Sequence, residues 1–368
     1  MIKIVFIVST LRVGGPTNQL YYLIKHLDRT RFEPHLITLT PEPKQDSRWA
    51  DFEALHSQLH TLGLPRLKGL FFSKKYMRSL VDRIRPDVIH TQGIRADLLN
   101  ASILKQYPSL CTSRNYPFAD YPTKFGILRG SLMARQHMAA FKKLHVVACS
   151  LSIQSQLKSH SINASVVQNG VDTEKFQPVS SESKKALRQK LGLPEAAFVA
   201  LSAGSLIPRK DMFTLIEAFE QAGLAAAKLV ILGDGPQKDA LRQQANDNVL
   251  MPGNVANVSD YLGAADLFVS AALSEGLPNT VLEAMACGLP CILSDIPPHR
   301  ELFRDSDDIF FRCKDATSLA DRLTLIDMEG LVERGQKARR FVEEFFSAQM
   351  MSLGYQETYM RLIEDPNG

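Results

Sequence analysis

The sequence predicts an α/β protein in two domains, each built on parallel strands. Three observations predict it. The chain opens with a continuous β-rich run, Ile2 to Ser9, which passes through Gly14-Gly15-Pro16-Thr17 into an amphipathic segment from Asn18 to Leu27. A run without alternation suits a strand buried on both faces, and strand, glycine turn and helix make a Rossmann-like start. The same order returns at Phe198 to Ala203, where a strand feeds Gly204 to Asp211 and then a helix from Met212 to Ala222. Between the two, Pro178 to Lys190 turns polar and charged, a composition shift that fits a connection and places the boundary near residues 170 to 180.

The bulk numbers agree. A chain of 368 residues can hold two sizeable cores. With 45% hydrophobic and 22% charged residues it has the composition of a soluble globular protein. A net charge of +4 is too small to argue for nucleic acid. The five cysteines are odd in number, scattered and without metal-ligand spacing, which points to a reducing compartment. MIKIVFIVST has no cleavage-type segment after it and is expected to be a first core strand, and no apolar run approaches a membrane span. A cytoplasmic location follows.

In chain order, the glycine turn at Gly14-Gly15 departs from GxGxxG and has no acidic residue at the dinucleotide spacing, which disfavours NAD. His35 to Thr40 is the next strand, Tyr76 to Ile84 a helix, and Pro86 to His90 a strand whose terminal His90 is a candidate to face the site. Leu110 to Ser113 is a short strand ending in Arg114-Asn115. From Tyr116 to His145, the basic residues Lys124, Arg129, Arg135, Lys142 and Lys143 interleave with apolar ones, without matching acids. Such a stretch suits either an anionic membrane surface or a core-facing helix with a solvated basic side. Val146 to Ser150 closes the first sheet, and Asn169-Gly170 is a turn former at the boundary.

In the second half, Arg209 and Lys210 follow a strand and precede a helix start, a geometry that can clamp phosphate. Lys228 to Leu232 is a strand that ends in Gly233-Asp234-Gly235-Pro236, where glycine permits close approach. Val249 to Asn254 and Val258 to Leu262 follow, then Ala265 to Val269 as a strand. It leads into SEGLPNTVLEAMACGLPCILS, in which Glu275 lies on a loop and Glu283 on the second turn of a short apolar helix, with Pro278 suited to the first turn. The N–H groups around Gly276, Leu277, Asn279 and Thr280 belong to a helix start with partial positive charge. Backbone donors for a diphosphate and carboxylates for sugar hydroxyls describe a nucleotide-sugar pocket. Ile292 to Asp295 is the strand after it. Asp305-Ser306-Asp307 has the D-x-D form of a metal–diphosphate motif but sits in an acidic turn, and it is expected to be a solvated loop. Ala316 to Ile326 and Leu331 to Phe346 are helices, the last continuing towards Tyr355 and Tyr359.

EGLPNTVLEAMACGLPCILSD resembles the signature of the family 4 glycosyltransferases, retaining enzymes of the GT-B fold, and the likeness runs along nearly the whole chain through PDVIH, VVACS, NGVD and GDGP. It implies two Rossmann-like domains facing a central cleft: an acceptor domain over 1–172, a donor domain over 173–345, and a C-terminal helix over 346–368 that crosses back to the first domain. The donor is a nucleotide-diphosphate sugar, with UDP favoured, and the acceptor a glycan or a polyprenyl-diphosphate-linked glycan in surface-polysaccharide synthesis. No metal or other cofactor is implied. Glu275 and Glu283 face the donor, Glu283 at the ribose and Glu275 at the sugar. Lys210 holds the diphosphate. The family's arginine beside the glycine is Ser205 here, so Arg209 is the candidate to replace it. Gly14, Gly15, Gly233 and Gly235 lie near the donor. Many relatives carry a histidine where this chain has Arg114, which would supply fixed charge near the transferred sugar. Two other activities suit the same fold: a nucleotide-sugar 2-epimerase, and a non-catalytic sugar-nucleotide-binding protein.

Overall fold

The computed structural model describes residues 1–224, 226–303, 307–325 and 328–365, with the side chains of 66–72, 307, 328 and 329 left aside. Asp305 and Ser306 of the acidic turn, and Ile326 at an expected helix end, lie outside the described residues. The chain divides into two compact units, one of Met1–Gly170 with Ala348–Gly368 and one of Val171–Ser347.

The first unit holds seven parallel strands: β1 (Ile2–Val8), β2 (Phe32–Thr38), β3 (Gln58–Thr61), β4 (Val88–Gln92), β5 (Ser109–Ser113), β6 (His145–Ala148) and β7 (Ala164–Val166). Their order is β3-β2-β1-β4-β5-β6-β7. The apolar run of β1 is buried from Ile4 onward because β2 and β4 flank it and helices cover both faces. The first helix, Gly15–Lys25, starts three residues earlier than its apolar pattern suggested, because Pro16 suits a first turn whose N–H groups have no intrahelical partner. The basic segment is broken at Gly126 into two helices, Pro117–Phe125 and Ile127–Phe141.

The last helix, Ala348–Glu364, belongs to this unit. Tyr355 and Tyr359 are wholly buried among Ile4, Phe6, Phe32 and Leu36. Tyr359 meets Phe6 and Phe32 edge-on at 6.3 Å between ring centroids. Ser352 donates to the Leu23 carbonyl at 2.9 Å.

The second unit holds β8 (Phe198–Ala203), β9 (Ala227–Leu232), β10 (Val249–Gly253), β11 (Leu267–Ser270), β12 (Cys291–Ser294) and β13 (Phe310–Phe311), parallel in the order β10-β9-β8-β11-β12-β13. Strand order reverses between β1 and β4 in one sheet and between β8 and β11 in the other. Ligands of doubly wound sheets bind outside the strand C-termini at such a switch point. The segments after β8 and β11 are those that carry Lys210 and Glu275.

Candidate functional site

After β8, Pro208–Lys210 forms a single 3-10 turn, closed by Asp211 in the left-handed region at φ 49°. Asp tolerates that conformation better than most residues. The loop after β11 runs alongside, and Leu273 donates its N–H to the Arg209 carbonyl at 2.8 Å. Two consecutive cations thereby face one carboxylate. Lys210 Nζ bonds Glu275 Oε1, and Arg209 Nη1 lies 3.0 Å from Glu275 Oε2 and 3.0 Å from the Ser274 carbonyl. The Glu275 side chain is 8% exposed. Burial alone would raise its carboxyl, but Lys210 and Arg209 outweigh burial and hold it below the usual carboxylate range. Arg209 Nε is buried with no hydrogen-bond partner among the described residues, which leaves a charged donor ready for an anion.

Beside this cluster lies a cavity of about 360 Å³ whose walls include Gly204, Ser205, Gly233, Asn254, Thr280 and Glu283. The Lys210 stem lies against Gly204, where an added Cβ would sit 3.1 Å from Lys210 Cε. Gly233 is required by packing, since a Cβ there would come within 1.9 Å of the Gly204 oxygen. Gly235 was expected to sit close to the nucleotide. Its missing side chain instead makes room for the Leu206 carbonyl, 2.4 Å from a built Cβ, and it does not line the cavity.

The helix Asn279–Ala286 brings Thr280 and Glu283 to that wall, one turn apart. Pro278 stands one residue before the expected first turn, as the N-cap, and its carbonyl accepts from Val281 and Leu282. Leu277 is a core side chain. Gly276, Leu277, Pro278 and Asn279 are not on the cavity lining, so Thr280 and Glu283 are this segment's contribution. Glu283 is the opposite of Glu275. Burial pushes its carboxyl up to about 7, with Lys175 offsetting part of the rise. His299, also buried, accepts or donates within Ser270 and Ser294 and is pushed down to about 4 by burial, so it is neutral at pH 7.

In the first unit a second cavity, also of about 360 Å³, is lined by Thr10, Thr17, Gln92, Arg114, Asn115 and Tyr121 among others. Arg114 and Asn115 therefore reach a pocket as expected. Arg114 Nη1 donates to Asn169 Oδ1 at 2.5 Å, and its Nε is buried without a partner among the described residues. Gly14 and Gly15 are not on the lining; Pro16 and Thr17 from the same loop are.

His90 needs correction. It was a candidate to face the site, yet it is 0% exposed, with Nδ1 2.7 Å from the Tyr359 hydroxyl and Nε2 2.7 Å from Thr112 Oγ1. Burial lowers its pKa well below the ordinary value. It is a satisfied core histidine, turned towards the terminal helix. The basic segment needs correction too, because Lys124 has an acidic partner: its ammonium lies 2.8 Å from Asp120. Met138 and Phe141 of the second basic helix face the core, while Ile127 and Leu128 at its start are 78% and 90% exposed.

Pattern alone missed Asp97, Tyr121, Gln92 and His137. Each was an unremarkable polar residue in sequence. Only folding brings Tyr121, Gln92 and His137 to one cavity wall, with Asp97 buried behind them.

Comparison with known proteins fits this geometry. Residues 13–175 match the model of Glycosyltransferase Family 4, and residues 183–343 match Glycosyl transferases group 1. The putative teichuronic acid biosynthesis glycosyltransferase TuaC of Bacillus subtilis is 36% identical over 187 residues, which are 50% of this chain and 47% of TuaC. The chain thus spans about half the length of that relative. The O-antigen biosynthesis glycosyltransferase WclY of Escherichia coli is 25% identical over 76% of this chain and 81% of its own. An Escherichia coli UDP-Gal:alpha-D-GlcNAc-diphosphoundecaprenol alpha-1,3-galactosyltransferase is 35% identical over 40% of each chain. Among solved structures, sucrose-phosphate synthase of Thermosynechococcus elongatus superposes with a TM-score of 0.83 at 19% identity, covering 99% of this chain and 100% of that one. Anabaena Alr3699/HepE in complex with UDP-glucose gives 0.81 at 20% identity, over 98% and 100%. At that identity the structural likeness speaks for the fold.

Proposed function

We propose that this chain, whose two halves match the family 4 and group 1 glycosyltransferase models and whose fold is GT-B, moves a sugar, with retention of configuration, from a UDP-sugar to a glycan acceptor in surface-polysaccharide synthesis. The observation that carries this is the Arg209–Lys210–Glu275 cluster beside a cavity walled by Glu283. Two cations against one carboxylate leave a net positive charge where a diphosphate must depart. Charge that develops on a leaving group is best met by fixed positive groups in a partly desolvated site. Arg209 and Lys210 are assigned that role, with Arg209 standing in for the arginine that Ser205 lacks. Glu283 takes the ribose hydroxyls, and Glu275 orients the donor sugar while holding the two cations in place. No divalent ion is invoked, so chelator should leave turnover unchanged.

UDP is favoured because similar solved structures hold UDP or UDP-glucose, and a lipid-diphosphate-linked acceptor because one relative is named for such a substrate. Among the described residues no helix is long and apolar enough to cross a membrane. Contact with the inner membrane face is assigned to Ile127, Leu128 and Leu132, exposed beside Arg129 and Arg135.

A thermal-shift screen against UDP-, GDP- and ADP-sugars, followed by a nucleotide-release assay with the best binder, tests the function. Lys210→Ala should lower kcat by about 10²-fold, the usual effect of removing one such charged donor. An unchanged kcat in Lys210→Ala and Glu275→Ala, or no shift with any sugar nucleotide, would remove the assignment.

A further inference from the structure

Thr91, Asp97, His137 and Tyr121 form a row of hydrogen bonds that runs from the middle of the first sheet to the wall of the first unit's cavity. Thr91 Oγ1 donates to Asp97 Oδ1 at 2.5 Å, His137 Nε2 lies 2.7 Å from Asp97 Oδ2, and the Tyr121 hydroxyl lies 2.6 Å from His137 Nδ1. Four elements supply the four residues: β4 and the helices Ile94–Ile103, Ile127–Phe141 and Pro117–Phe125. Asp97 is 0% exposed, and the Tyr121 ring stacks on His137 with 8° between their planes. The row is held on every side.

Its direction follows from donor counting. A carboxylate only accepts, so the imidazole must donate through Nε2. With the ring hydrogen on Nε2, Nδ1 is the acceptor, and it takes the Tyr121 hydrogen. What Tyr121 has left for the cavity is an oxygen lone pair. The same wall carries the opposite need: Gln92 is buried, and its Nε2 has no hydrogen-bond partner among the described residues. A buried amide donor left unpaired is costly, and on a cavity wall an oxygen of a bound molecule would satisfy it. The cavity therefore asks for a molecule that presents both a hydroxyl hydrogen and an oxygen acceptor. Asp120 and Lys124, which also line it, pair with each other, while Arg95 and Arg114 add positive charge to the lining.

We propose that this cavity seats a sugar ring of the acceptor, with Tyr121 accepting from one hydroxyl and Gln92 donating to another oxygen of the sugar, while Asp97 and His137 act as positioning residues that fix the direction of the Tyr121 hydrogen. This rests on the glycosyltransferase reading and names the acceptor contacts within it. A cavity of about 360 Å³ is of small-molecule size.

The test measures binding without donor, using saturation-transfer NMR on the full chain with the methyl α-glycosides of glucose, galactose and N-acetylglucosamine. At least one should bind. Tyr121→Phe and Gln92→Leu should each weaken it by about tenfold, as expected when a polar partner is left unpaired. His137→Gln, measured well below its melting point, should weaken glycoside binding while leaving the UDP affinity unchanged; a histidine that only supported the fold would lower the melting temperature without this selective loss. If no glycoside binds the wild type, or if Tyr121→Phe and Gln92→Leu both bind as the wild type does, the assignment is overturned. A chain that binds glycosides yet releases no nucleotide from any sugar donor would lose the transferase reading and keep this cavity's specificity.

Discussion

Glu275, on the loop after β11, and Glu283, in the helix that follows that loop, are driven in opposite directions by what surrounds them. Burial acts on both, but Glu275 has Lys210 and Arg209 in contact and is held ionised, whereas Glu283 has only the more distant Lys175 and rises to about 7. Paired groups pushed apart in this way mark distinct roles. The sign for Glu283 is that of a carboxyl whose folded pKa exceeds its unfolded value of 4.5. Its neutral form contributes stability in full below pH 4.5, and that contribution is lost by the time pH passes 7. Glu283→Gln keeps the size and removes the titration. Its melting temperature should gain on the wild type as pH rises from 5 to 7, by on the order of 5 °C, and the gap should then stay constant to pH 8. Ribose hydroxyls donate to an ionised carboxylate, so UDP-glucose, whose diphosphate diester does not titrate here, should bind the wild type more tightly at pH 8 than at pH 6, and the variant should show no such gain. A melting gap independent of pH would mean that Glu283 does not titrate near 7. For Glu275 the sign is reversed: its stability is present above pH 4.5 and disappears as pH falls through its lowered pKa.

The paired helices Pro117–Phe125 and Ile127–Phe141 divide their work along their length. Ala134, Met138 and Phe141 are buried, while Ile127, Leu128 and Leu132 stand in solvent. Fully burying a leucine-sized side chain is worth about 2 kcal/mol. Replacing Leu128 with Asp should therefore reduce co-sedimentation with anionic phosphatidylglycerol vesicles by at least tenfold, and salt should weaken the wild-type binding through its exposed arginines. Equal binding by Leu128→Asp would show that this tip does not meet the membrane. The strands and glycine turns here were legible because their signals are local: an apolar run, then a turn residue, then a periodic helix. The Glu275–Glu283 segment was legible for the same reason. The orientation of His90 was not, because its hydrogen-bond partner Tyr359 lies 269 residues further on. Asp97 and His137 are 40 residues apart and Tyr121 lies between them, 16 before His137, with no periodicity to join them. The apparent lack of acids in the basic segment came from weighing side chains against apolar neighbours, when Asp120 lay one helical turn before Lys124.

For the whole molecule, the decisive feature is that the chain leaves its first unit at Gly170 and re-enters it at Ala348. The first core is thus completed only by the last helix, whose Tyr355 and Tyr359 are among its largest wholly buried side chains. Tyr355 also bonds Thr112 at 2.8 Å, which in turn holds His90. By contrast, every residue of the Glu275 cluster and of the cavity beside it falls between Val171 and Ser347. Tyr355→Ala opens a cavity in the first core and strips Thr112 of a partner, at a cost of about 4 kcal/mol for an aromatic truncation. The loss should fall on one unit. Calorimetry should resolve a first-unit transition lowered by several degrees from a second transition that UDP still raises, and UDP affinity should stay within about twofold of wild type. If the variant melts in one lowered transition and no longer binds UDP, the nucleotide site depends on the first core, and its assignment to the second unit alone is wrong.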